Sequence, residues 1–498
     1  MRVVQVLAIC LASLVAIFVL TSLFSFLSWA LPTIESRDFY YYVLWARDRI
    51  HNDPGVGAEM YIYFPGVYLF WEAVMVTLGE HLSALQLGYL GLALANSVLV
   101  GAVVFVLNRS LFSTLLSMLF FIGTSSWADG FSGCTEHLVL FPFLLGLLVW
   151  RGSTLQSLLS HKYLTLCICL ALAIFAKQQG VLLLAGVIGL ALVGSVRTLR
   201  SVLIDTSLLL TVPAIAVLLV WLEAGSLSSI TKAVSFARSY ASHGSAILNL
   251  SIITPPLSCA ALLVLVCRLL HRLNNQSQPY RTESKRMLVF CTFALLATLY
   301  QFRMRSYLHY GILTMAPLSI IVGLSCSYAV NAAHVTRTRL YLCYSLLSTI
   351  ALICLGGINS LKCYAWSPLQ TYLTHHCHPK GITAAERSDV TELCTQLKTG
   401  EDLLVFPTLN NYVHFYCETV PRSSPVRYTW DPSPPYTAIL ENAATNRVVI
   451  HHSIHQTHPQ PGCKHYGCPE LLSSIESKGF IPVLNLPTLT LYDRSAKE

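Results

Sequence analysis

Hydrophobic positions fall into two regimes along the chain. Up to about residue 357, long apolar runs alternate with short polar or basic segments, and beyond it polar and apolar positions mix. A membrane-crossing helix needs roughly 20 apolar residues. The runs predict about eleven spans: 3–32, 82–107, 111–125, 137–150, 163–176, 180–196, 202–222, 250–266, 287–300, one containing Pro317 that ends near 330, and one closing near 357. The stretch 163–196 would be about 50 Å long as one helix, against a hydrocarbon core of about 30 Å. It therefore reads as two spans meeting at Lys177-Gln178-Gln179-Gly180. The segment 61–79 is apolar but carries Pro65, Gly66 and Glu72, and reads as a helix lying in the membrane interface.

The polar remainder alternates helix and strand patterns. Helices are expected at 389–399, 436–444 and 469–478, and strands at 402–406, 448–450, 480–486 and 488–492. The expected fold is an α-helical polytopic membrane protein with a C-terminal α/β domain. The division is a transmembrane module at 1–360, with a first outer loop at 33–81, followed by the α/β domain at 361–498.

Composition agrees with this division. The chain of 498 residues is 54% hydrophobic and only 11% charged, where soluble domains carry about 25% charged residues. The net charge of +8 is spread over short loops. No basic block with interleaved aromatics would track a polynucleotide, so nucleic acid is not an expected partner. No glycine-rich phosphate loop points to a nucleotide. Basic residues gather at 108–109, 151–162, 197–200, 268–286 and 334–339, with almost no acids among them. The positive-inside rule places these loops and the N-terminus in the cytoplasm. The loops 35–81, 127–136, 177–180, 223–249 and 301–309 then lie outside, together with the C-terminal domain. The expected location is the inner or plasma membrane. Ser28-Trp29-Ala30 resembles a cleavage site, but the preceding run is too long for a signal peptide and reads as an uncleaved helix.

The chain has 16 cysteines, of which Cys363, Cys377, Cys394, Cys417, Cys463 and Cys468 fall in the polar domain. An even set in an extracytoplasmic domain points to disulfides whose pairing the sequence does not choose, although Cys463 and Cys468 are close enough for a local bridge. The neighbouring run from His451 to His458 has no standard zinc spacing.

Candidate chemistry lies on the expected outer face. Glu35 and Asp38 follow the first span, embedded with Tyr40, Tyr41, Tyr42 and Trp45. A carboxylate there can act as a base or hold a metal, and aromatic faces stack on sugars. Asp48, Asp53 and Glu59 read as solvated loop charges. Lys177 between two apolar runs is a functional-site candidate by its position. Arg303 and Arg305 break the positive-inside pattern and, with His309, form a second cationic group suited to a lipid phosphate. Asp129 and Glu136 could join Asp38 around a metal, and Glu136 could equally complement a helix N-terminus.

Four stretches together resemble the GT-C-fold glycosyltransferases that use polyprenyl-phosphate sugars, in particular the bacterial protein-mannosyltransferase-like and aminoarabinose-transferase-like families. They are ESRDFYYYVLWA (35–46), YFPGVYL (63–69), AKQQG (176–180) and RSYLHY (305–310). The chain has Pro65-Gly66 where the family often has two prolines. The resemblance implies transfer of a sugar from a polyprenyl-phosphate donor to a lipid, glycan or protein acceptor on the extracytoplasmic face. It implies Asp38 as the leading catalytic acid and Glu35 as the second. Lys177, Arg303, Arg305 and His309 would hold the donor phosphate, and Tyr40 and Tyr41 would line the sugar site. A divalent metal (Mg or Mn) would bind through Asp38, Asp129 and Glu136. The competing reading is a transporter or flippase for a lipid-linked sugar or another amphipathic anion, which inverted repeats would support, and the chain shows no such repeat.

Overall fold

The computed structural model describes residues 37–51, 64–128, 133–153, 155, 157–193, 199–225, 230–231, 234–235, 254–273, 282–304, 308–332, 382–406, 410–420, 440–441, 445–452 and 468–494. The expected first and last spans lie outside the described residues. The chain forms two compact units. One comprises 1–32, 58–70 and 81–378, and the other comprises 33–57, 71–80 and 379–498. Much of the first outer loop thus clusters with the C-terminal residues.

The early elements are α1 (Arg37–Ile50) and α2 (Gly66–Leu78). The apolar helices follow as α3 (Leu82–Asn108), α4 (Leu111–Trp127), α5 (Glu136–Trp150), α6 (His161–Ala176), α7 (Ala185–Val193), α8 (Leu199–Ala224), α9 (Thr254–Leu273), α10 (Thr282–Met304) and α11 (Gly311–Ala332). Local chemistry sets several boundaries. His81 Nδ1 accepts from the Ala84 N–H at 3.1 Å to start α3, and the hydroxyls of Ser110 and Ser160 cap α4 and α6. α3 and α5 end on Arg109 and Arg151, both left-handed at φ 56° and 54°. A cation there complements the negative helix terminus. α9 and α10 run further than expected, so the basic connection shrinks from 268–286 to 274–281. Both continue past their apolar stretch because Arg, Lys and Leu are good helix formers outside lipid as well as in it.

α11 packs against α3, α4, α5, α9 and α10, and Ile312, Leu313, Met315, Ala316, Ile320 and Leu324 on it are fully buried. The outer helices show the reverse pattern, with Leu192 70% and Leu210 80% exposed. A water-soluble protein rarely presents such continuous apolar surface, and a lipid-facing bundle requires it. α3 and the 206–223 part of α8 are long and apolar enough to cross a membrane. This is a polytopic helical membrane protein.

The second unit contains α12 (Ala384–Cys394), β1 (Leu404–Phe406), α13 (Tyr412–Cys417), β2 (Arg447–His451), α14 (Cys468–Ser477), β3 (Ile481–Asn485) and β4 (Leu489–Asp493). The sheet order is β1-β2-β4-β3, with β1 parallel to β2 and the other pairs antiparallel. Leu471 and Ile475, four residues apart on one face of α14, pack with Leu404, Phe406, Val448, Ile450 and Phe480. Thr383 and Glu386 form a reciprocal capping box at the start of α12. Glu386 also bonds His451 at 2.8 Å. Burial opposes the charge on Glu386, but the bonds from His451 and Thr383 outweigh it and hold the carboxyl down at about 2. His452 bonds the Pro487 carbonyl and Thr490, which occupies both of its ring nitrogens. The expected helix at 436–444 lies largely outside the described residues.

Cys394 and Cys417 form a disulfide that ties α12 to α13. Cys363, Cys377 and Cys463, and the side chain of Cys468, lie outside the described residues. In the same unit, the stretch read as a loop after the first span is the helix α1. Its aromatic rings are interior. Tyr40, Tyr41, Tyr42 and Trp45 are all at most 4% exposed, and Tyr40 packs on Tyr412, Phe415 and Tyr416 from α13. Asp48, expected as a solvated charge, is only 4% exposed, with the Arg47 guanidinium 3.8 Å away. Arg49 pairs with Glu72. The ring contacts turn the aromatic face of α1 inward, and the acid follows it with a cation alongside.

Candidate active site

The focus of the membrane unit is the break between α6 and α7. Lys177 terminates α6 in an extended conformation (φ −159°, ψ 137°), and Gln178–Leu184 then continue as a 3-10 helix. The turn closes through a 2.8 Å bond from the Gly180 N–H to the Lys177 carbonyl. Gly180 is required here, because any Cβ would run into the Ala173 backbone. Pro65-Gly66 meets the same end of α6, and a Cβ on Gly66 would lie 2.7 Å from the Ala176 Cα. Two of the sequence stretches therefore converge.

Glu136 opens α5 beside them. Its Oε1 accepts from the Lys177 ammonium at 2.6 Å, and the pair is almost wholly buried, at 0% and 4% exposed. Neighbouring bonds from α3 fix the start of α5. Tyr89 donates to the Cys134 carbonyl at 2.6 Å, and Asn96 donates to the His137 carbonyl at 2.8 Å. The fourth stretch arrives through a 3-10 turn at Leu308–Tyr310. The Tyr310 ring centroid is 5.7 Å from the Lys177 ammonium, and His309 lies within electrostatic reach of Glu136.

Lys177, Glu136 and His309 are thus brought together, while other candidates are placed only in part. Asp38 is the second residue of α1 and Arg303 lies in the last turn of α10, but their side chains are outside the described residues. Glu35, Asp129 and Arg305 are outside them altogether. Among the described residues no cluster of His, Cys, Asp and Glu could hold a metal. Glu136 does not fit a dication while an ammonium sits on its carboxylate. Sequence reasoning had given Lys177 and Glu136 separate roles. A buried charge among apolar runs needs a partner, and that rule pointed to one without naming it.

No family model and no curated protein matches the chain. Solved structures do. ArnT from Cupriavidus metallidurans bound to undecaprenyl phosphate aligns over 97% of this chain and 98% of its own, at 11% identity and a TM-score of 0.60. Its apo state aligns at a TM-score of 0.58. The Archaeoglobus fulgidus oligosaccharyltransferase, in complex with Zn and sulfate, aligns over 90% of this chain and 67% of its own, at 11% identity and a TM-score of 0.51. The chain has the GT-C fold. The alignment with ArnT takes in both units of this GT-C chain, and the Lys177–Glu136 pair belongs to its membrane unit.

Proposed function

We propose that the protein is an integral membrane glycosyltransferase that moves a sugar from a polyprenyl-phosphate donor to an acceptor on the extracytoplasmic face. The observation that carries this reading is a buried lysine at a broken helix in a GT-C scaffold. An inert anchor has no use for a buried charge, which is costly even when paired. ArnT, of similar fold, was solved with undecaprenyl phosphate. A prenyl phosphate has a tail suited to lipid and a charge suited to Lys177, Arg303, Arg305 and His309.

In this reaction the acceptor hydroxyl attacks the anomeric carbon. The carbon–oxygen bond to phosphate breaks, and its electron pair leaves on the polyprenyl phosphate. Asp38 takes the hydroxyl proton, with Glu35 as the second acid, and the anomeric configuration inverts. The cationic groups stabilise the charge that grows on the leaving phosphate. The test incubates the purified protein with a panel of polyprenyl-phosphate hexoses and pentoses, with and without Mg or Mn, and follows lipid phosphate release. Release dependent on an added acceptor is expected. Movement of the intact lipid-linked sugar across a vesicle membrane, with no release, would favour a flippase instead.

A further inference from the structure

Residues next to both partners of the Lys177–Glu136 bond carry buried acceptor oxygens. Glu136 Oε2 has no hydrogen-bond partner, and neither has the Thr135 Oγ beside it. On the facing segment, the Oε1 atoms of Gln178 and Gln179 are also buried and unpartnered. Thr135 and Glu136 are themselves at most 1% exposed. Buried polar atoms are ordinarily satisfied, so several acceptors next to one ion pair suit a ligand rich in donors. A phosphate offers none. A metal ion is disfavoured by the ammonium 2.6 Å from Oε1. An ammonium is disfavoured as well, because the charge of Glu136 is already matched by Lys177 and His309 lies within electrostatic reach. Neutral hydroxyl groups fit.

We propose that residues 135–136 and 178–179, clamped together by the Lys177–Glu136 bond, form a subsite for the hydroxyl groups of an uncharged sugar. The proposal rests on the reading that a lipid-phosphate sugar is the donor. It assigns these residues to choosing which sugar is accepted. Glu136 would hold Lys177 with one oxygen and the sugar with the other. A site built to bond hydroxyls strongly rejects an analogue that lacks them, because its own polar atoms are then left unpaired.

The test measures equilibrium binding to the full-length protein in lipid nanodiscs. The probes are bare polyprenyl phosphate, a polyprenyl-phosphate hexose and a polyprenyl-phosphate amino sugar. The hexose lipid should bind about tenfold or more tightly than the bare lipid, as one to two hydrogen bonds would give. The amino-sugar lipid should gain less than the hexose lipid, because a charged amine replaces one of its hydroxyls. Thr135→Val and the pair Gln178→Leu/Gln179→Leu should each erase most of the hexose gain. Thr135→Val should leave the melting temperature unchanged, because its hydroxyl loses no protein partner, so this variant decides if the glutamine pair fails to fold. A hexose gain that survives in the folded variants would overturn the proposal and leave these oxygens to water. Equal binding of hexose and bare lipid would overturn the subsite alone. Failure of all three lipids to bind would overturn the donor reading and the subsite together.

Discussion

Removing either partner of the Lys177–Glu136 pair strands a buried charge. Breaking such a pair costs about 3–5 kcal/mol, whereas replacing both partners with apolar residues of similar size can be close to neutral. Glu136→Leu alone should therefore lower the melting temperature sharply, and adding Lys177→Met should restore much of it without restoring transfer. Thermal unfolding and donor turnover, measured on both variants, separate the two effects. The lysine was legible in the sequence because it interrupts an apolar stretch too long for one span. Its partner was not, because 41 residues separate them and only packing brings the two together.

The same division holds for elements. Spans such as 82–107 and 111–125 are legible to within a few residues, since an uninterrupted apolar run leaves the backbone few alternatives to a helix. α1 was not, because its Tyr, Arg and Asp residues form a polar island between apolar runs that reads as a loop, and the rings of α13 that cover its apolar face lie more than 350 residues along the chain. α13 was missed because six residues carry too little periodicity. The Cys394–Cys417 bridge holds α13 in place and closes a loop with a sequence separation of 23. A loop of that size contributes about 3 kcal/mol. Cys394→Ser with Cys417→Ser should speed hydrogen exchange across 410–420 and around Tyr40, leaving α3 to α11 protected. Acid should loosen the same element. Burial and the nearby Arg47 push His414 from 6.5 down to about 3. A histidine held neutral in the fold contributes fully above 6.5, and its contribution is lost as pH falls toward 3. Exchange at 410–420 should rise through that window, and His414→Gln should flatten the rise.

At the scale of the whole molecule, hydropathy alone indicated a membrane bundle followed by an α/β domain. What it could not show is that 33–57 and 71–80 cluster with the C-terminal residues, because long-range packing leaves no local trace in sequence. From the charge distribution of the loops, the positive-inside rule predicts a cytoplasmic N-terminus and an extracytoplasmic C-terminal domain. Alkaline phosphatase fused after Glu498 should accordingly be active outside, and a tag within 274–281 should be reached only from the cytoplasm. Single-turnover release of polyprenyl phosphate reads out sugar transfer from a lipid phosphate with Asp38 as the base. In that assay, Asp38→Asn should insert and melt like the natural protein while release falls by about a hundredfold or more, as expected on losing a general base. Release at the natural rate from a correctly folded Asp38→Asn protein would contradict it.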